Sequence, residues 1–280
     1  MGMRSAILLG VLVLLASTPA AARGREHPRR AARSGAPTSY FLAGNPHVPL
    51  AVVADGQIAE VSSTKAQPCG AKRRWATVGS AWRAIDTWGQ EAGTFTVSAK
   101  DDYDATGCAE LSFAPKLPHD GRYVFVSADS VWRPSPSVAW QPTSAQWAQL
   151  RALGERPVRA RGKSSPFSQC RELATDALAF RVTRAGGAVE RYAVWGGRNA
   201  YVVARQERGA WSVVKTYRSK PADAFEVCFR PVAVFDMNGD GKPELVVRSS
   251  GGDGWQDFVL EESEGGAWHD AAISRGGSTA

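Results

Sequence analysis

The sequence predicts a mainly β protein made of two related antiparallel β-meander halves, propeller-blade-like or sandwich-like, with one short helix near 144–153. Three observations carry this expectation. Short β-branched or aromatic runs recur at intervals of roughly 8–12 residues, separated by Gly, Asp, Asn and Pro clusters. A single stretch has helical character. The text of the first half returns, in order, in the second.

In chain order the strand-like runs are LAVV (50–53), TFTVSA (94–99), YVFVSA (123–128), LAFRVT (178–183), YAVW (192–195), AYVVAR (200–205), WSVVKTY (211–217), PVAVF (231–235), ELVVRS (244–249) and DFVLE (257–261). Between them TSAQWAQLRAL (143–153) reads as a helix, capped by Thr143 or Ser144 and stopped by Gly154 and Pro157. Around it, RPSPS, WQPTS and RPVRARGKSSP have linker composition. The expected organisation is therefore a first β half at 39–133, a linker with the helix at 134–165, a second β half at 166–272 and a disordered tail at 273–280.

The two halves align at three places. DYDATGCAEL (102–111) matches DMNGDGKPEL (236–245) without a gap, DGRYVFV (120–126) matches DGWQDFV (253–259), and LAVVADG (50–56) matches YAVWGGR (192–198). A Trp-led strand, WATV (75–78) or WSVV (211–214), follows the last pair. Ordered self-similarity of this kind is the mark of a duplicated architecture.

At the N-terminus one arginine precedes an apolar run from about Ala6 to Ala16, then small residues ending Ala20-Ala21-Ala22. That layout is a secretory signal peptide over 1–22, cut near Ala22. The run is too short for a membrane span, which takes roughly 20 apolar residues. The expected location is secreted, periplasmic or on the cell surface, with no transmembrane segment in the mature chain. The net charge of +7 is concentrated in the basic arm at 23–38; without the six arginines and one glutamate of residues 1–36 it falls to +2. No aromatic residue interleaves with those arginines for base stacking, so the arm reads as a disordered spacer and nucleic acid is not an expected partner.

Four cysteines in an exported chain read as two disulfides, with three pairings open. If the halves are duplicates, Cys69–Cys108 and Cys170–Cys228 are the natural pairs, each within its own half.

The most informative stretch is DMNGDGKPEL (236–245), set between PVAVF and LVVRS. Oxygen-bearing side chains fall on alternate residues, Asp236, Asn238 and Asp240; Gly241 permits a tight turn, and Glu244 closes the shell. Hard cations such as calcium take six to eight oxygens, and carbonyl oxygens such as that of Lys242 serve beside carboxylates. Three carboxylates in one bend repel each other unless a cation lies among them. The ion expected here is Ca2+. An EF-hand loop would need a glutamate where Val247 stands, and helices on either side. Over residues 232–247 the stretch instead resembles the FG-GAP and VCBS repeats of integrin-like β-propellers and bacterial surface proteins. That resemblance implies calcium held by Asp236, Asn238, Asp240, the Lys242 carbonyl and Glu244, in a calcium-loop hairpin. A weaker second set follows from the internal match: Asp102, Asp104, Thr106, Cys108 and Glu110.

Catalytic patterns are scarce. The histidines, His27, His47, His119 and His269, form no H-E-x-x-H, and no G-x-S-x-G occurs. Two S-x-x-K strings, at Ser62 and Ser212, lack S-D-N and K-T-G partners. The acid pairs Asp101/Asp102 and Glu261/Glu262 read as solvated carboxylates rather than a glycosidase pair. Ten tryptophans leave room for an exposed sugar-stacking face, with core packing expected for Trp75 and Trp211. The functional expectation is an exported calcium-binding module with a non-catalytic binding or structural task, its partner a carbohydrate or an envelope surface protein. The alternative is a secreted polysaccharide-acting hydrolase whose catalytic residues the sequence does not name.

Overall fold

The computed structural model describes residues 38–44, 48–61, 77–103, 108–116, 122–128, 130, 135–159, 177–184, 186–219, 227–251 and 254–277. The expected signal peptide, nearly all of the expected basic arm, Trp75, Trp132, Cys69 and Cys170 lie outside them.

The first half forms seven strands: β1 (Ser39–Leu42), β2 (Pro49–Ala54), β3 (Gln57–Ala59), β4 (Ala81–Ile85), β5 (Glu91–Tyr103), β6 (Cys108–Ala114) and β7 (Val124–Ser127). They make one antiparallel sheet in the order β3-β2-β1-β7-β4-β5-β6. The β2–β3 turn is Asp55-Gly56, both at positive φ (52° and 72°), which is what a two-residue hairpin with the native twist requires. The strand expected at WATV does not form in the described part of that stretch: Thr77 lies outside any strand, Val78 sits in a turn before β4, and the Val78 side chain is 63% exposed.

The segment expected to be a linker enters two sheets. β8 (Ser135–Pro136) pairs with β14 (Cys228–Asp236), and β9 (Val138–Ala139) pairs with β10 (Leu178–Thr183). Between them and β10 lies α1 (Ser144–Arg159). Its start follows the expected capping chemistry. The Gln146 N–H donates to Thr143 Oγ1 (3.3 Å), while the Thr143 N–H donates to Gln146 Oε1 (2.8 Å). Its end does not follow expectation, because the helix runs through Gly154 and Pro157. Gly154 serves contact rather than termination: a Cβ there would stand 2.4 Å from Trp195 Cζ2. Pro157 falls in the last turn, where one lost hydrogen bond does not end the helix.

The second half contains two four-stranded meanders. β10, β11 (Val189–Gly197), β12 (Ala200–Glu207) and β13 (Ala210–Arg218) form the outer sheet, with β9 on its edge. β14, β15 (Glu244–Gly251), β16 (Gly254–Glu262) and β17 (Trp268–Gly277) form the middle sheet, with β8 on its edge. β17 takes up residues 273–277 of the expected disordered tail, and Ile273 packs on the core.

The middle sheet has apolar cores on both faces. Val232, Phe235, Met237, Val246 and Val259 pack with Phe41, Leu50, Val124 and Val126 of the first sheet. Leu245, Val247, Phe258 and Leu260 pack with Phe180, Tyr192, Val194 and Tyr201 of the outer sheet. Neighbouring residues of β15 thus serve opposite cores, which explains a run without polar alternation. On the outer sheet's far side, Leu150 of α1 packs with Ala193, Trp195 and Val202. The first sheet curls over its own far face. Phe113 on β6 stacks on Phe125 on β7 with centroids 4.5 Å apart, although two strands intervene, a span of roughly 14 Å in a flat sheet. The protein is mainly β and antiparallel throughout, a stack of blade-like sheets. The word meander describes the second half only, since β7 inserts between β1 and β4 in the first.

Candidate functional site

The loop 237–243 joins β14 to β15 at one end of the middle sheet. Both strands enter it fully buried, and the Met237 side chain drops into the core beneath it. The loop coils because its polar side chains capture nearby backbone amides. The Gly239 N–H donates to Asp236 Oδ1 (2.6 Å) and the Gly241 N–H to Asp236 Oδ2 (3.0 Å). The Asp240 N–H donates to Asn238 Oδ1 (3.0 Å), and the Lys242 N–H to Asp240 Oδ1 (2.8 Å). Gly239 and Gly241 hold φ of 79° and 85°, a conformation that disfavours a β-carbon. Alternation of Asx residues and glycines thus produces a tight coil closed by side-chain-to-amide bonds.

Glu244 follows the loop as the first residue of β15 and is the unusual group. It is 1% exposed. Its Oε2 accepts the Met237 N–H (2.5 Å), and its Oε1 has no hydrogen-bond partner. Burial, opposed by that one N–H and reinforced by the charges of Asp236, Asp240 and Glu261, pushes the carboxyl up to about 9. Asp236 is also raised, by burial first and by Asp240, against the two glycine amides that favour its charged form. A buried acceptor with nothing to accept is costly. Its chemistry matches a hard cation, since every candidate donor here is oxygen.

Glu261 is the residue that sequence reasoning missed. β15 and β16 pair Leu245 with Leu260, and one further step of that register brings Glu244 level with Glu261. The Asn238 Nδ2 group donates to Glu261 Oε1 (3.4 Å). Expecting Glu261 and Glu262 to be solvated was incorrect: Glu261 has a quarter of its side chain exposed, and Glu262 is buried. Glu262 accepts from Arg184 and from Arg205 Nη1 (3.3 Å), which neutralises it, and Tyr192 Oη lies 3.0 Å from its Oε1. The signal for Glu261 was the hairpin register, which one strand's text does not contain.

The described structure covers only part of the weaker second set. Asp104 and Thr106 lie outside the described residues. The β5–β6 hairpin keeps the register of the first site, Asp101 opposite Glu110 as Phe235 is opposite Glu244. Its ladder then continues through Asp102↔Ala109 and Tyr103↔Cys108, so the opening that residues 236–243 leave is zipped shut here. Glu110 faces Asp101 instead, and burial with that charge raises its carboxyl.

Cys228 is disulfide-bonded, and among the described residues no cysteine is free. None of the described tryptophans is an exposed platform: Trp82, Trp195 and Trp268 are buried and Trp88, Trp140, Trp147, Trp211 and Trp255 half-buried. Trp211 stacks on Trp140 at 5.6 Å, with the Arg191 guanidinium over Trp140. Among the described residues no helix is long and apolar enough to cross a membrane. Among them, too, no three His, Cys, Asp or Glu side chains already form a metal-holding group. Comparison of the chain with protein-family models, with curated proteins and with solved structures returned no match.

Proposed function

We propose that loop 236–244 binds calcium, and that the protein is an exported calcium-stapled β module with a non-catalytic binding or structural task at the cell envelope or outside the cell. The observation that carries this reading is the unpartnered, fully buried Glu244 Oε1 beside Asp236 and Asp240. Asp236, Asn238, Asp240, Glu244 and the Lys242 carbonyl would hold the ion. Calcium suits this set better than magnesium, because amide, carbonyl and carboxylate oxygens on a flexible loop tolerate irregular coordination. Bound there, the ion supplies charge compensation and cross-links the ends of β14 and β15. The likeness of residues 232–247 to FG-GAP and VCBS repeats supports the same ligand set. Export rests on the N-terminal pattern, and it places the site where calcium is plentiful, matching the weak affinity, about 10⁻⁴–10⁻³ M, of extracellular modules.

The test is thermal unfolding of the mature protein in chelator and in millimolar calcium. A ligand that binds only the folded state stabilises it by RT ln(1 + [L]/Kd), about 2.7 kcal/mol at a hundred-fold excess. We expect the melting temperature to rise with calcium concentration and to return on chelation; superimposable curves would remove the site.

A further inference from the structure

We infer that Glu261, on the neighbouring strand β16, is a fourth carboxylate of the cation site, so that a bound ion ties the β16–β17 hairpin to loop 236–244. This rests on the calcium reading above and extends it to a residue outside the loop. Geometry places Glu261 there by two independent routes. The β15–β16 ladder ends at Leu245↔Leu260, and one further step of its register brings Glu244 level with Glu261 on the adjacent strand, where side chains of opposed residues share a face. The Asn238 side chain reaches across from the loop to Glu261 Oε1 at 3.4 Å, which leaves its own Oδ1 turned back into the coil.

Like charges directly opposed on a sheet destabilise it. Glu244 is buried besides, and its Oε1 has no donor. Among the described residues the ion-pair partner of Glu261 is His269, opposite on β17, with Nε2 3.7 Å from Oε2, half of its side chain in solvent and a charge only when protonated. Nothing comparable serves Glu244 Oε1. A divalent cation between the two strands relieves both carboxylates at once. It also raises the negative charge around the ion from three carboxylates to four, and ligand charge count is a main control of calcium affinity. The consequence is mechanical: the ion staples three successive strands of the middle sheet, β14, β15 and β16, rather than one hairpin.

Glu261→Gln separates this role from a structural one, since glutamine keeps the acceptor for Asn238 and removes the charge. Calcium alone is titrated calorimetrically into the chelator-stripped full chain, and melting is followed in chelator. We expect Glu261→Gln to weaken calcium affinity about ten-fold or more, while Glu261→Asp, which keeps the charge, recovers most of it. In chelator, Glu261→Gln should melt at or above the wild-type temperature, because one negative charge has left this crowded end of the sheet. Wild type binding with Glu261→Gln within two-fold of it, or a Glu261→Asp as weak as Glu261→Gln, overturns the inference and leaves the loop site standing. Wild type that takes up no calcium overturns the loop site itself, and this inference with it.

Discussion

Glu244 decides how the loop responds to pH, because one carboxyl is being asked to sit in a dry core. Its folded value lies near 9 against an ordinary 4.5. In the metal-free protein the folded state therefore holds a proton that the unfolded chain releases above pH 4.5. The stabilisation is complete below that value and is lost as pH rises through about 9. We expect chelator-treated protein to become steadily easier to unfold in urea from pH 5 to pH 9, and calcium to flatten that slope. Glu244→Gln mimics the protonated form, so in chelator it should be more stable than wild type at pH 8 and indistinguishable near pH 4.5. Equal slopes for variant and wild type would remove Glu244 as the cause. Gly196 shows a different kind of residue-scale constraint: a Cβ there would lie 1.9 Å from the Phe229 carbonyl oxygen, so only glycine lets β11 meet β14.

Hairpins are held together by pairs that cross between strands. On β15 and β16, Arg248 and Asp257 stand opposite each other and form a bidentate pair, Nε to Oδ1 at 2.7 Å and Nη2 to Oδ2 at 2.9 Å. Asp257 is fully buried and Arg248 nearly so, with the guanidinium 5.6 Å from the Trp255 ring centre. Removing one partner strands a buried charge, which costs about 3–5 kcal/mol. Asp257→Ala should lower stability by that amount in urea denaturation at pH 7; a loss below about 1 kcal/mol, the range of surface pairs, would show that water reaches the pair. The outer sheet meets the middle one through a second network. Arg184 Nε donates to Glu190 Oε2 (2.9 Å), Tyr192 Oη donates to the same oxygen (2.7 Å), and both residues reach Glu262. This network joins β10 and β11 to the end of β16 through balanced charge, and it uses every carboxylate it buries.

At the scale of the whole molecule, stability is greatest where both faces of a sheet are covered. The middle sheet has a core on each side, whereas β3, β6 and β13 are sheet edges. Amides of β15 and β16 should therefore be the slowest to exchange with deuterium, opening only with global unfolding, while β3 and β6 exchange early through local opening. Uniform exchange across the three sheets would show that they do not unfold in this order. The arrangement also explains why the end of β14 suits a staple: loop 237–243 is anchored by Met237 in the core between the first and middle sheets.

Part of this was legible in the primary structure because it is local. Alternation and β-branched runs specify strands through neighbouring residues, Asp55-Gly56 specifies its hairpin, Thr143 and Gln146 cap α1 within one turn, and the Asx–Gly rhythm of 236–241 specifies a coil of oxygens. What lay out of reach depends on residues distant in the chain. Gly154 reads as a helix stop until Trp195 is seen against it, and 273–277 read as a tail until β16 supplies a ladder. Glu261 read as a solvated strand end because register, not text, sets it beside Glu244. By itself the sequence determined the β class, the turns and the oxygen set of the loop, since these follow from short-range backbone preferences. Only the tertiary structure decided the order of the sheets and which carboxylates lose their water, because burial and strand register are made by contacts between segments the chain keeps far apart.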